Sequence, residues 1–233
     1  TPKSETGQQV YKCKKCCFRF VWLSDLPNRR FFSSVISFSV ELYTSLIGIS
    51  LRTVSQVMRK LGFEVSYEGI RQWVLTTKKP ILRREKGVPT TWHADETYIK
   101  IKGKGFWLWI VYDKIGVLSW HISKTRRIKD ARILLRTAMQ VAGVRPKSII
   151  TDGLEQYNYA IKKEIGWNYK EQKKKHVVSS GIGRNWFIER LNREVKRRTK
   201  WFGTFQSMKG ALAFFGLWFS HFNRRRALAR NTG

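Results

Sequence analysis

Three acids in this 233-residue chain have the types and spacing to do chemistry together: Asp95, Asp152 and Glu189. Asp95 lies in the stretch TWHADETYIKIKGKGFWLWIVY, Thr91 to Tyr112. The first half of that stretch alternates. His93, Asp95, Thr97, Ile99 and Ile101 share one face of an extended strand, and Trp92, Ala94, Glu96, Tyr98 and Lys100 share the other. A Gly103–Gly105 turn is expected to reverse the chain. Phe106 to Tyr112 is an unbroken apolar run, the mark of a strand buried on both faces. A carboxylate in the middle of such a sheet is costly unless a cation or a metal partners it.

Asp152 closes the short apolar strand Lys147–Thr151 and precedes Gly153. A crossover helix, Arg127 to Ala142, places that strand parallel to the Asp95 strand, and strand ends of α/β sheets are where sites are built. The competing role for Asp152 is a turn residue that caps the next helix. Glu189 falls on a long helix from about Asn185 to Trp201, at the edge of the buried stripe Ile188, Leu191 and Val195. Arg193, Lys196 and Arg197 follow on the same face. The competing role for Glu189 is a surface ion pair with Arg193. Glu194 is the rival acid, and five residues of helix turn it about 140° away from Glu189.

Three carboxylates in one site repel unless cations neutralise them. Hard oxygen donors suit Mg²⁺ or Mn²⁺. Two such ions about 4 Å apart clamp the attacking and leaving oxygens of an in-line phosphoryl transfer.

The rest of the chain points to a polyanionic partner. Lys and Arg number 46 against 16 acids, a formal charge of +30, which implies nucleic acid. The charge is spread along the whole chain, which argues against a membrane surface. Ala211–Phe219 is too short to span a bilayer and Phe31–Leu51 too polar, so both are expected to be buried helices. Cys13, Cys16 and Cys17 give no disulfide framework, which fits an intracellular, cytoplasmic compartment. Cys13 and Cys16 form a C-x2-C knuckle, half of a zinc site, with no second pair nearby. It reads as the second half of a zinc ribbon whose first half is missing, and the favoured expectation is that it binds nothing.

Between Pro27 and Pro80 the chain looks helical. Leu51, Val54, Val57, Met58 and Leu61 have helical spacing, Gly62 ends that helix, and Ser66 caps a second whose inward face is Ile70, Trp73 and Val74. Two short helices around a turn make a helix-turn-helix candidate, with Glu68, Arg71 and Gln72 facing outward toward DNA. Thr77 to Pro89 reads as a basic linker.

The spacing of 57 residues from Asp95 to Asp152 and 37 from there to Glu189 resembles the DDE transposases of prokaryotic insertion sequences, closest to the insertion-sequence family six group. The residues that carry the likeness are HADETYIKIKGKG (His93–Gly105), ITDG (Ile150–Gly153), NWFIERLNREVKRR (Asn185–Arg198) and HFNRRR (His221–Arg226). The helix-turn-helix stretch and the knuckle resemble that group's DNA-binding part and zinc ribbon. Asn185-Trp186 departs from the paired asparagines of the family.

The resemblance implies an α/β fold with an RNase H-like, integrase-like mixed five-stranded sheet flanked by helices, preceded by a small helix-turn-helix domain. The expected divisions are a partial knuckle at 1–24, the helix-turn-helix at 25–80, a linker at 81–90, the catalytic core at 91–203 and a C-terminal aromatic and basic helix at 204–233. It also implies that Asp95, Asp152 and Glu189 bind two Mg²⁺ or Mn²⁺ ions, and that the chain cuts transposon-end DNA and joins it to target DNA as a dimer or larger. The alternatives are a truncated copy that occupies transposon ends without cutting, or an RNase H-like nuclease.

Overall fold

The computed structural model describes residues 10–12, 19–21, 31–45, 48–77, 87–179 and 185–231. Two short strands, β1 (Val10–Lys12) and β2 (Arg19–Val21), pair antiparallel. Cys13 and Cys16, most of the expected linker, and nearly all of the glycine-rich segment after Ser179 lie outside the described residues.

Three helices follow: α1 (Ser33–Ser45), α2 (Leu51–Lys60) and α3 (Tyr67–Thr76). The side chains of Ser50 and Ser66 accept from the backbone of Thr53 and Gly69, so both expected caps form. Val35, Val54, Met58, Val65 and Ile70 make a small core. Val57 and Leu61 do not join it, at 36% and 55% exposed. A ten-residue helix has room for one narrow buried stripe, which Val54 and Met58 fill, so the wider stripe expected from sequence is corrected here.

The main sheet has five strands in the order β5–β4–β3–β6–β7. They are β3 (Thr91–Ile101), β4 (Lys104–Asp113), β5 (Val117–Ser123), β6 (Ser148–Thr151) and β7 (His176–Val178). The first three form an antiparallel meander, and β6 and β7 add in parallel. The β3–β4 turn is Lys102–Gly103, both at positive φ, rather than Gly103–Gly105. Paired positive φ values give the turn whose twist matches the strands. Gly105 is already in β4, opposite Lys100.

The helices around the sheet are α4 (Ile128–Ala142), α5 (Glu155–Glu164), α6 (Tyr169–Lys175), α7 (Trp186–Phe202) and α8 (Met208–Asn231). Alternation along the strands divides the core. Trp92, Ala94, Trp109 and Val111 face α4 and α5, meeting Ala131, Leu135, Tyr157 and Ile161. Ile99, Ile101, Leu108, Ile110 and Tyr112 face α7 and α8, meeting Ile188, Leu191, Val195, Phe214 and Phe215. Burial on both faces explains the apolar continuity of β4. Ile128, expected in the α4 stripe, is instead exposed at the first turn. Helix α6 was not expected: its sequence YKEQKKK buries nothing, and the Asn168–Glu171 capping box starts it. No helix among the described residues is long and apolar enough to cross a membrane.

The N-terminal helices dock on α8, where Ile36, Val40 and Val74 meet Ala213 and Leu217. Arg198 of α7 fastens them from the other side. It is 6% exposed, donates to the Thr44 carbonyl at 2.5 Å and to the Ser45 carbonyl, and lies over Trp218. Burial holds its pKa down to about 10. Those carbonyls end α1 and have no helical partner of their own. Arg198→Met is expected to destabilise the protein by about 2–4 kcal/mol, read as a lower urea midpoint by circular dichroism.

Candidate active site

Asp95 sits at the centre of β3, opposite Ile110 of β4. On its other side β3 runs parallel to β6, with His93 beside Ile150. Two residues further on, this register brings Asp152 alongside Asp95, just past the end of β6. The chain turns sharply there. Gly153 has φ +93, and a Cβ at that position would meet Val178 of β7 at 2.8 Å, so only glycine fits. Asp152 is itself part of the turn, because its Oδ1 accepts from the Leu154 amide at 3.1 Å. The capping role leaves the second oxygen open to other work: Oδ1 makes the turn, and Oδ2 faces Arg126, 3.9 Å away.

The Asp95 carboxylate is half-buried and held at both oxygens. Oδ1 accepts from the Glu96 amide at 2.9 Å, and Oδ2 accepts from Asn192 Nδ2 at 2.7 Å. Burial, then the negative charges of Glu96 and Asp152, raise its pKa to about 7 against the opposing effect of those hydrogen bonds. Carboxylate oxygens of Asp95, Glu96 and Asp152 lie within 4.8 Å of one another. An all-carboxylate set this close suits a hard divalent cation such as Mg²⁺ or Mn²⁺.

Glu189 is exposed in the first turn of α7 and is not in that group of oxygens. Its helix is nevertheless docked on β3 through two residues that flank it. Asn185 Oδ1 meets His93 Nδ1 at 2.8 Å, and Asn192, one turn after Glu189, donates to Asp95. Asn185, Glu189 and Asn192 share one stripe of the helix. Glu194 does not. It pairs with Arg197 at 2.8 Å and lines a separate cavity of about 800 Å³ with Trp186, Phe187, Arg190 and Arg225. Arg193 and Lys196 are exposed beside Glu189, while Arg197 is engaged with Glu194.

On α3, Glu68, Arg71 and Gln72 are exposed as expected, and they bond one another. Arg71 donates to both Glu68 oxygens at 2.7 and 2.6 Å, and Gln72 donates at 2.8 Å. These bonds hold the Glu68 carboxyl down at about 2.

Sequence reasoning missed Glu96, Arg126, Asn185 and Asn192 as neighbours of the site. Glu96 had a visible signal: an acid beside Asp95 on the face that packs against α4 and α5 must find a cation. Arg126 had none, since it lies in a basic run, Lys124-Thr125-Arg126-Arg127.

Residues 89–218, more than half of the chain, match the family model of the DDE domain of IS240-type transposases. The chain belongs to this family. Over 190 residues it is 28% identical to the transposase for insertion sequence-like element IS431mec of Staphylococcus aureus, covering 79% of this chain and 82% of that one. The same figures hold for the transposase for insertion sequence element IS257 in transposon Tn4003 of Staphylococcus aureus. Among solved structures, the HTLV-2 integrase catalytic core domain in complex with magnesium aligns with TM-score 0.40 and 18% identity, over 57% of this chain and 86% of that chain.

The raised Asp95 pKa makes the stability of this transposase depend on pH. Unfolded, Asp95 titrates near 4; folded, near 7. The folded state therefore keeps a proton that the unfolded state has released. The contribution of Asp95 to stability is full below about pH 4 and is lost as pH rises through about 7, on the order of 4 kcal/mol at most. Glu96, also raised by burial, adds in the same direction. In EDTA the melting temperature is expected to fall between pH 5 and pH 8. Asp95→Asn should flatten that fall, and Mg²⁺ should oppose it in the wild type only.

Proposed function

We propose that this transposase cuts the 3′ ends of its insertion sequence and joins them to target DNA, with Asp95, Asp152 and Glu189 holding two divalent cations. The observation that carries the reading is the pairing of Asp95 with Asp152 on adjacent parallel strands, with Asn192 of the Glu189 helix bonded to Asp95. When bound, the cations stabilise charge on the attacking and leaving oxygens of an in-line displacement.

Each residue of the site has a task in that chemistry. Asp152 is held at Oδ1 by its own turn and Asp95 at Oδ2 by Asn192, so part of the geometry is set before substrate arrives, which lowers the entropic cost of reaching the reactive arrangement. Glu189 completes the set from the helix above. Water attacks the phosphodiester at the transposon end, and the leaving group is the 3′-hydroxyl of that end. This hydroxyl then attacks a target phosphodiester, breaking its P–O3′ bond so that the target strand's 3′-hydroxyl leaves. The enzyme forms no covalent bond with the DNA; the Tyr157 hydroxyl beside these acids is fully buried and donates to Glu96.

The scissile strand needs cations beside the carboxylates. Arg193 and Lys196 supply them next to Glu189, and Arg197 does so once it exchanges Glu194 for phosphate. The terminal inverted repeat is read by α3, where Arg71 and Gln72 exchange Glu68 for base edges. Joining two ends to one target requires at least a homodimer. A net charge of +30 supports partition onto DNA in the prokaryotic cytoplasm. The zinc reading at Cys13 and Cys16 is not part of the proposal.

The test is cleavage and strand transfer on a labelled transposon-end duplex with Mg²⁺ or Mn²⁺. Joined product is expected from the wild type and none from Asp95→Ala, Asp152→Ala or Glu189→Ala, each of which should still shift the duplex in a gel. Binding with no cleavage by the wild type would establish the non-catalytic copy instead. Cleavage that survives Glu189→Ala but is lost in Glu194→Ala would move the third acid. For α3, Arg71→Ala should narrow the preference for end DNA over unrelated DNA by about 1–3 kcal/mol, measured by competition binding.

A further inference from the structure

Asp95 and Glu96 are consecutive in β3 and so leave the sheet on opposite faces. Asp95 turns toward α7. Glu96 turns toward α4 and α5, where its side chain is 1% exposed. An unpaired carboxylate there would be expensive. Both its oxygens are used. Oε1 takes an ion pair from Arg126, and Oε2 accepts from the hydroxyl of Tyr157, itself fully buried, at 3.2 Å.

Arg126 comes from the connection between β5 and α4. Its guanidinium lies 4.5 Å over the ring of Trp107. Its Nη2 serves Glu96 and stands 3.9 Å from Asp152 Oδ2, and its Nε is buried with no acceptor among the described residues. One planar cation thus bridges an acid on the α4–α5 side of β3 and the acid just past the end of β6. Asp152 needs such a tether, because it lies on an exposed turn beyond the end of β6 and, among the described residues, is otherwise held through Oδ1.

We infer that Arg126 and Glu96 form a built-in ion pair that positions Asp152 and sets the charge a divalent cation meets at the site. Glu96 is then not a metal ligand, although its oxygens lie within reach of the other two acids. Its task is to hold Arg126. Arg126 in turn offsets one of three negative charges, which keeps the acids together when no cation neutralises them, and it weakens cation binding by repulsion. This inference rests on the metal-site reading above.

The experiment is Mn²⁺ titration of the full chain without DNA, followed by electron paramagnetic resonance of the free ion, with cleavage rates at saturating Mn²⁺ beside it. Arg126→Gln should bind Mn²⁺ about tenfold tighter and Glu96→Gln about tenfold weaker, since the two changes move the local charge in opposite directions. The double variant Glu96→Gln/Arg126→Gln restores the net charge, so its affinity should return to within about threefold of the wild type. At saturation Arg126→Gln should still cleave more slowly, because Asp152 has lost its tether. Arg126→Lys should restore the affinity and only part of the rate, as an ammonium cannot stack on Trp107 as the planar guanidinium does and so holds its place between the two carboxylates less well.

A double variant as weak as Glu96→Gln would make Glu96 a ligand and overturn the inference. So would unchanged affinity in Arg126→Gln. If Arg126→Gln does not fold by circular dichroism, Glu96→Gln and the double variant differ only at Arg126 and decide the same point. Wild type that binds Mn²⁺, with binding lost in Asp152→Asn, keeps the metal reading whatever Arg126 does. Wild type that binds no Mn²⁺ overturns the metal reading, and this inference with it.

Discussion

Like charges crowd the centre of a sheet in this protein, and much of the structure answers that constraint. Asp95, Glu96 and Asp152 bring carboxylate oxygens within 4.8 Å of one another at a place where burial already disfavours charge. Each acid is offset differently. Asp95 accepts two hydrogen bonds, Glu96 takes an arginine and a tyrosine, and Asp152 stays half in solvent and spends one oxygen on its own turn. The leftover electrostatic cost is what makes a divalent cation welcome.

The sheet topology makes the crowding possible. A meander places β3 in the middle, and the α4 crossover then lays β6 parallel beside it. Helix α7 closes the site from the face opposite α4 and α5. Its buried stripe of Ile188, Leu191 and Val195 orients the helix, so Asn185 and Asn192 reach β3 and Glu189 stands between them. The same orientation turns Arg198 away from the site and into the carbonyl end of α1. One helix therefore links the acids of the core to the helical unit that we propose reads transposon ends.

Family membership and the architecture of a mixed five-stranded sheet with helices on both faces agree with the resemblance drawn from four short motifs. The strands of the core were legible because alternation and apolar runs leave clear periodicity, and the caps at Ser50 and Ser66 because their side chains act locally. Errors fell where a rule was too coarse. The turn at Lys102–Gly103 depends on strand register, which two nearby glycines blur. The over-wide stripe of α2 came from counting apolar residues without knowing how much surface the neighbouring helices could cover. Helix α6 buries no residue and so carries no apolar signature.

What the sequence determined by itself was the spacing of the candidate acids and the strands and helix that bear them, since periodicity and motif are properties of contiguous residues. It also marked the chain as a partner for a polyanion through its charge. Only the tertiary structure decided how the acids are neutralised. That Arg126 serves Glu96 and Asp152, that Asn192 holds Asp95, and that Glu194 points into a different cavity from Glu189 all depend on contacts between elements distant in sequence. A side chain's charge can be read from its letter, but its partner is chosen by which surfaces the fold brings within a few ångströms.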